Sequence, residues 1–198
     1  HPQKLEKTHH MKNRPIRLNN WRYTVAQTVL RLLYGRKWHC ISPWQVGGQA
    51  AAALMFFEKK LVMGLRAGQI EQAGKWWVVG GYCDLHKQEA PHQTVVREIW
   101  EEVGLKLSAE NFGLDNLFYY TQIFGKTMLE LDDECHICLF YTYNLNAEEY
   151  AQLTPKEETQ ELGLFTYAQI LEMTQKGQIA EKVLADIAKR AHQQGLLA

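Results

Sequence analysis

The sequence predicts an α+β fold, a sandwich of helices around a sheet with a helical N-terminal extension. Three observations carry that expectation. Strand-like runs stand on both sides of one amphipathic helix in mid-chain, they do not alternate with helices in regular βαβ fashion, and two further helical patterns close the sequence. With 198 residues, 46% hydrophobic and 22% charged, the chain belongs with globular proteins that bury a core without staples, not with disordered or fibrous ones.

The elements follow in order. Residues 1–20 are polar and interrupted by Pro2 and Pro15, which predicts a mobile or extended lead. Met11 follows His9 and His10, so these two and His1 read as a loose end rather than as metal ligands. From Trp21, "WRYTVAQTVLRLLYG" places Val25, Val29, Leu32 and Leu33 near helical spacing and stops at Gly35, predicting one amphipathic helix. "RKWHCISPWQVGG" then connects, with turn signals at Ser42, Pro43, Gly47 and Gly48. Residues 1–45 are accordingly read as an N-terminal extension and residues 46–198 as the main domain.

"QAAAALMFFEKKLVMGLRA" reads as two strands joined near Glu58, Lys59 and Lys60, with a buried helix as the competing reading of its first half. "GKWWVVGGYCD" reads as one strand ending in a double glycine. "APHQTVVREIWEEVGL" reads as a helix: Val95, Val96, Ile99, Trp100 and Val103 form one apolar stripe, Pro91 suits the first turn and Gly104 the end. "NLFYYTQIFG", "ECHICLFYTYNL" and "ELGLFTY" read as strands, the first two separated by the acidic turn "LELDDE". "AQILEMTQ" and "AEKVLADIAKRAHQQG" read as the closing helices, and no internal repeat is visible.

The net charge of zero conceals an asymmetry. Residues 1–57 hold nine Lys/Arg and the single acid Glu6, a balance of +8, whereas residues 58–198 hold thirteen Lys/Arg and twenty-one acids, a balance of −8. The basic segment either meets phosphate or nucleic acid, or docks on the acidic remainder of its own chain or a second subunit; docking is the preferred reading. No apolar run approaches the roughly 18 to 20 residues that span a bilayer, and no signal-peptide pattern opens the chain, so no membrane partner is expected and the cytoplasm is the expected location. Cys40, Cys83, Cys135 and Cys138 are too scattered for a disulfide scaffold and read as free thiols. "CHIC" has the spacing of a zinc half-site, but it lies in a strand-like run where residues three apart point to opposite faces, and no second pair accompanies it.

One feature calls for chemistry. Glu98, Glu101 and Glu102 fall within about 100° of one another on the mid-chain helix, opposite its apolar stripe. Like charges at this spacing cost a few tenths of a kcal/mol per pair. Either water solvates the face, or a hard divalent cation, which prefers carboxylate oxygens together with substrate phosphates, offsets the repulsion.

The segment "GGYCDLHKQEAPHQTVVREIWEEVGL" resembles the Nudix box. Glu89, Arg97, Glu98, Ile99, Glu101, Glu102, Gly104 and Leu105 satisfy its pattern from the first Glu onward. Gly81 precedes Glu89 by seven intervening residues where the family has five, so the loop carries a two-residue insertion and Cys83 takes the nominal glycine position. Val79 stands where the family usually has Pro, and Trp76 where it often has Trp. The resemblance extends more weakly over about residues 50–167 and implies the Nudix-like α/β/α sandwich with a mixed sheet.

The resemblance also implies an activity: hydrolysis, dependent on Mg²⁺ or Mn²⁺, of the diphosphate linkage in a nucleoside diphosphate joined to another moiety, such as ADP-ribose, a nucleotide sugar or a dinucleoside polyphosphate. It implies Glu98, Glu101 and Glu102 as metal ligands, Glu98 also as the group that handles the attacking water, and an Arg97–Glu89 pair that braces loop against helix. Gly80, Gly81 and Tyr120 are implied as substrate contacts, although alternation in "LFYYTQIF" sends either Tyr119 or Tyr120 into the core. A further acid is expected from Asp132, Asp133 and Glu134 or from Glu157, Glu158 and Glu161, with Glu158 preferred; Lys87 or His86 could touch phosphate. The expected partner is a small nucleotide, nucleic acid is not expected, and the N-terminal extension suits a homodimer arm. Two rivals stand beside this reading: a nucleotide-binding or regulatory module on the same fold, and an RNA 5′-end pyrophosphohydrolase.

Overall fold

The apolar run Val46–Phe57 forms β1, the axis of the computed structural model. The structure describes residues 46–68, 72–84, 87–125 and 134–198, with positions 25, 28, 29, 32 and 33 upstream. Those five upstream positions are helical, within the segment predicted as a helix. The rest of that expectation, with His1, His9, His10, Cys40, His86, Asp132 and Asp133, lies outside the described residues.

β1 turns at Glu58 and Lys59, both at positive φ (48° and 56°), into β2, Lys60–Arg66. Two left-handed residues in succession give the backbone twist that a two-residue hairpin needs. The expected single strand over "GKWWVVGGYCD" is instead two, β3 at Trp76–Trp77 and β4 at Val79–Tyr82. The reason is a change of partner: Trp76 and Trp77 pair with Leu65 and Gly64 of β2, whereas Val79–Tyr82 pair with Ala53–Ala50 of β1, beyond the part of its edge that β2 takes.

Helix α1 spans Pro91–Val103, with Pro91 at its start and Gly104 closing it in the left-handed region at φ 75°. Strands β5 (Leu117–Gly125) and β6 (Glu134–Asn144) follow, then a short helix α2 (Ala147–Gln152) that periodicity did not suggest. Strand β7 (Thr159–Phe165), α3 (Tyr167–Gln175) and α4 (Val183–Gln193) complete the order. All seven strands share one mixed sheet, β3-β2-β1-β6-β5, with β4 beside β1 and β7 beside β2. β6 runs parallel to β1 from Val46↔Glu134 to Phe56↔Asn144; the other pairings are antiparallel.

Strand alternation feeds two cores. Ala51, Ala53, Met55, Val79 and Tyr141 face Val95, Ile99 and Val103 of α1. Ala52, Leu54, Phe56, Met63 and Phe140 face Ile170 of α3 and Leu184, Ile187, Ala188 and Ala191 of α4. The sheet is therefore covered on both faces, which is why β1 reads as a continuous apolar run rather than an alternating one. Among the described residues no helix is long and apolar enough to cross a membrane.

Candidate active site

The apolar back of α1 is locked to the sheet, so its polar front is held at a fixed height above β4 and the loop after it. Arg97 organises the near end. Its Nε and Nη2 donate to Glu89 Oε1 and Oε2 at 2.8 and 3.0 Å, and Nη2 also donates to the Tyr82 carbonyl at 2.9 Å. Glu89 Oε2 further accepts from the Asp84 N–H at 2.8 Å and from Thr94 Oγ1 at 3.1 Å. Burial alone would raise the Glu89 carboxyl, but hydrogen bonds from Arg97, the Asp84 backbone and Thr94 outweigh it and hold the group below its ordinary range. A bidentate guanidinium–carboxylate pair inside such a network fixes orientation as well as charge.

Glu98 is 8% exposed and lies against β4 at Gly81, where any Cβ would collide with its carboxylate. Gly80 meets a similar limit, since a Cβ there would fall 2.6 Å from the Ala51 carbonyl oxygen. Gly81 lets β4 and α1 approach closely enough for the Glu98 carboxylate to lie between them, and Gly80 lets β4 lie close on β1. The Gly80 N–H donates to Glu102 Oε1 at 3.0 Å, and Thr159 Oγ1 donates to Glu102 Oε2 at 3.2 Å. Arg97 Nη1 bridges Glu98 Oε1 at 2.6 Å and the half-exposed Glu101 Oε2 at 3.0 Å.

The electrostatics are unbalanced. Burial pushes the Glu98 carboxyl up to about 7, Arg97 pulls it down, and the charges of Glu101 and Glu158 push it up again. Burial and the neighbouring Glu98 and Glu158 push Glu102 up to about 8, against the hydrogen bonds from Gly80 and Thr159. Glu89, Glu98 and Glu101 thus gather around one guanidinium, itself committed to Glu89, while Glu102 and Glu158 add negative charge beside them. An all-oxygen, strongly anionic donor set suits a hard divalent cation. Among the described residues, however, no three His, Cys, Asp or Glu side chains already converge as a ready-made metal cluster. Cys83 and Cys138 are buried free thiols, both raised by desolvation and so poor nucleophiles; the Cys135 side chain lies outside the described ones.

The structure brings Gly80, Gly81, Glu89, Arg97, Glu98, Glu101 and Glu102 together, and Glu158 joins them as an electrostatic neighbour of Glu98 and Glu102. Glu157 and Glu161 are exposed, and Lys87 pairs with Asp84 at 2.9 Å. Tyr119 packs toward Phe140, whereas Tyr120 is 73% exposed on β5, which reaches β4 only through β6 and β1. Among the described contacts none joins Tyr120 to the carboxylates. Sequence reasoning missed Thr94 and Thr159: a threonine hydroxyl carries no periodic signal, and both meet their glutamates only once the chain is folded.

A family model described as the NUDIX domain matches residues 48–187. No curated protein matches by sequence. Among solved structures, the chain resembles a MutT protein from Methanosarcina mazei Go1 (TM-score 0.60, 20% identity, covering 78% of this chain and 99% of that one). It also resembles a bifunctional NMN adenylyltransferase/ADP ribose pyrophosphatase from Francisella tularensis, complexed with AMP and a manganese ion (TM-score 0.56, 14% identity, 87% and 49% covered). A third likeness is to a C. elegans Ap4A hydrolase in a binary complex (TM-score 0.55, 13% identity, 75% and 98% covered). At these identities the likeness is one of fold.

Proposed function

The chain belongs to the Nudix family and is a pyrophosphohydrolase, and from that premise we propose that it cleaves the diphosphate linkage of a nucleoside diphosphate joined to another moiety. ADP-ribose, nucleotide sugars and dinucleoside polyphosphates are the substrate classes; the likeness to an ADP ribose pyrophosphatase and to an Ap4A hydrolase supports the choice. The observation that carries the reading is the excess of carboxylate at α1, where Glu98 and Glu101 share the Arg97 guanidinium, already bidentate to Glu89, while the charge of Glu158 raises both Glu98 and Glu102.

Glu98, Glu101 and Glu102 would hold Mg²⁺ or Mn²⁺, with Glu158 as the additional acid. When bound, the cation supplies positive charge that neutralises the diphosphate and acidifies the attacking water. Glu98 accepts a proton from that water as its oxygen attacks phosphorus; the bridging P–O bond breaks and its electron pair leaves with the departing phosphate. Arg97 and Glu89 keep the loop and the helix in register while this happens. Gly81 leaves room for Glu98 beside the strand, the Gly80 N–H holds Glu102, and Tyr120 offers an aromatic face that could meet a base. Residues 46–198 are the hydrolase domain in this reading, and residues 1–45 an extension suited to a homodimer arm.

The test is incubation of the full chain with ADP-ribose, nucleotide sugars, dinucleoside polyphosphates, NADH and capped or triphosphorylated RNA, each with Mg²⁺, Mn²⁺ or EDTA, with products identified by mass. Metal-dependent cleavage of one nucleoside-diphosphate class is expected. Silence across the panel in a protein that still binds Mn²⁺ would identify a binding module, and cleavage of RNA ends alone would identify the RNA-directed enzyme.

A further inference from the structure

The carbonyls of the last turn of α1 are met from more than 50 residues downstream. The Lys156 Nζ donates to the Trp100 carbonyl at 2.8 Å and lies 3.7 Å from the centre of the Trp100 ring. The Lys156 N–H donates to the Glu102 carbonyl and the Thr154 N–H to the Val103 carbonyl, both at 2.9 Å. The two amides satisfy carbonyls of a helix C-terminus that would otherwise be orphaned, and the cation adds to the Trp100 carbonyl, which the Gly104 N–H also meets at 3.2 Å. The same segment then turns, with the Thr159 N–H donating to the Lys156 carbonyl at 2.8 Å and the Ala67 N–H donating to the Glu158 carbonyl at 2.9 Å.

Thr159 is where this clasp reaches the carboxylates. It is 4% exposed, and its methyl group packs over Gly64 of β2, where an added Cβ would stand 2.8 Å from Thr159 Cγ2. A β-branched side chain pressed on a bare backbone has little rotameric freedom. Its hydroxyl is thereby aimed at Glu102 Oε2, while the Gly80 N–H holds Oε1. Each oxygen of Glu102 is fixed by one donor, one from β4 and one from β7, and each keeps a second lone pair for another partner.

We propose that Thr159 is a positioning residue that orients the Glu102 carboxylate for metal, with the Thr154–Lys156 clasp on α1 holding Thr159 in place. The proposal rests on the reading of Glu102 as a metal ligand. Groups that hydrogen-bond to ligating carboxylates set their orientation, and losing one typically weakens metal binding or activity by about 10- to 100-fold.

The experiment compares Thr159→Val, which keeps shape and loses the donor, with Thr159→Ser, which keeps the donor. Mn²⁺ affinity of the full chain is measured by electron paramagnetic resonance without substrate, and then the Mg²⁺ dependence of hydrolysis. Thr159→Val should bind Mn²⁺ about 10-fold more weakly, Thr159→Ser should stay near wild type, and substrate KM at saturating Mg²⁺ should not move. Should Thr159→Val not fold, Thr159→Ala makes the same comparison. Wild-type affinity in Val or Ala, or a Ser variant as weak as Val, would overturn the proposal. Glu102→Gln, titrated alongside, separates the two readings: if it binds Mn²⁺ like wild type, the ligand assignment itself fails.

Discussion

Ile99 and Ile187 are both essentially inaccessible, at 0% and 1% exposure, and each packs a helix onto the sheet, but on opposite faces. Around Ile187 the fully buried side chains among the described residues are apolar. On the α1 side, by contrast, lie all four buried polar or charged residues among the described ones. Thr94 and Glu98 belong to α1, Asp84 bonds to Glu89, and Thr159 bonds to Glu102. Buried polar groups are the informative exception in a protein interior, and here those described lie on α1 or bond to its network. The same strands therefore supply a face that only stabilises and a face whose stability is traded against a charged site.

The largest expected difference between the faces is in their response to pH. The Glu98 and Glu102 carboxyls, pushed up to about 7 and about 8, keep protons in the metal-free native state that the unfolded chain has lost above its ordinary range of about 4.3. The native state then binds more protons, so stability is full below that range and falls as pH rises through the two folded values. A divalent cation favours the charged forms and reverses the trend. Melting in EDTA and in Mg²⁺ at pH about 5.5 and about 8 checks this: Mg²⁺ should raise Tm more at the higher pH. A flat profile in EDTA, or an unchanged slope in the Glu98→Gln, Glu102→Gln double variant, would remove the assignment.

Next in size is the effect of single charges on rate. Glu101→Gln keeps side-chain volume and relieves repulsion, so it should leave Tm near wild type and lower kcat by about 10²- to 10³-fold, the scale of losing one group that meets developing charge. An active variant would take the centre out of the site. Arg97→Ala should instead harm both quantities, because Glu89 loses its bidentate partner and Glu98 its nearest cation. A loss of about 2 kcal/mol, less than for a fully buried pair because Arg97 is partly exposed, together with a rate loss of at least 10-fold, is the expectation.

How far this contrast was legible in the sequence varied with the kind of signal. The glutamates of α1 were visible because helical spacing puts them on one side, and Pro91 and Gly104 marked the helix ends through backbone chemistry alone. β1 was ambiguous because a strand buried on both faces has no alternation to read. The break at Val78 was invisible because it reflects a change of pairing partner, which no residue type announces. α2, only six residues long, offers too few turns for a period. Thr159 and Lys156 lie in a polar stretch that looks like a solvated loop, and their contacts span 57 and 56 residues of sequence. Contacts of that kind follow from the fold, so the supporting shell of the site was the least legible part of it.

The smallest effect gives the closest comparison. Ile99→Val and Ile187→Val each delete one buried methylene and should each cost about 1 kcal/mol of stability, since the packing on the two faces is alike. Their rates should differ. Val at position 187 leaves α4 slightly looser against a face that carries no chemistry, so kcat measured well below Tm should match wild type. Val at position 99 opens the gap between α1 and the sheet directly behind Glu98 and Glu102, whose hydrogen bonds to Arg97, Gly80 and Thr159 depend on how closely the helix lies to β4 and β7. Misplacement by about 1 Å can cost a site on the order of 100-fold, and a methylene-sized relaxation moves the helix by less, so a several-fold fall in kcat is the expectation. Equal rates in the two variants would mean that α1 holds its carboxylates through the polar network alone, and that the apolar packing behind them serves stability just as it does on the other face.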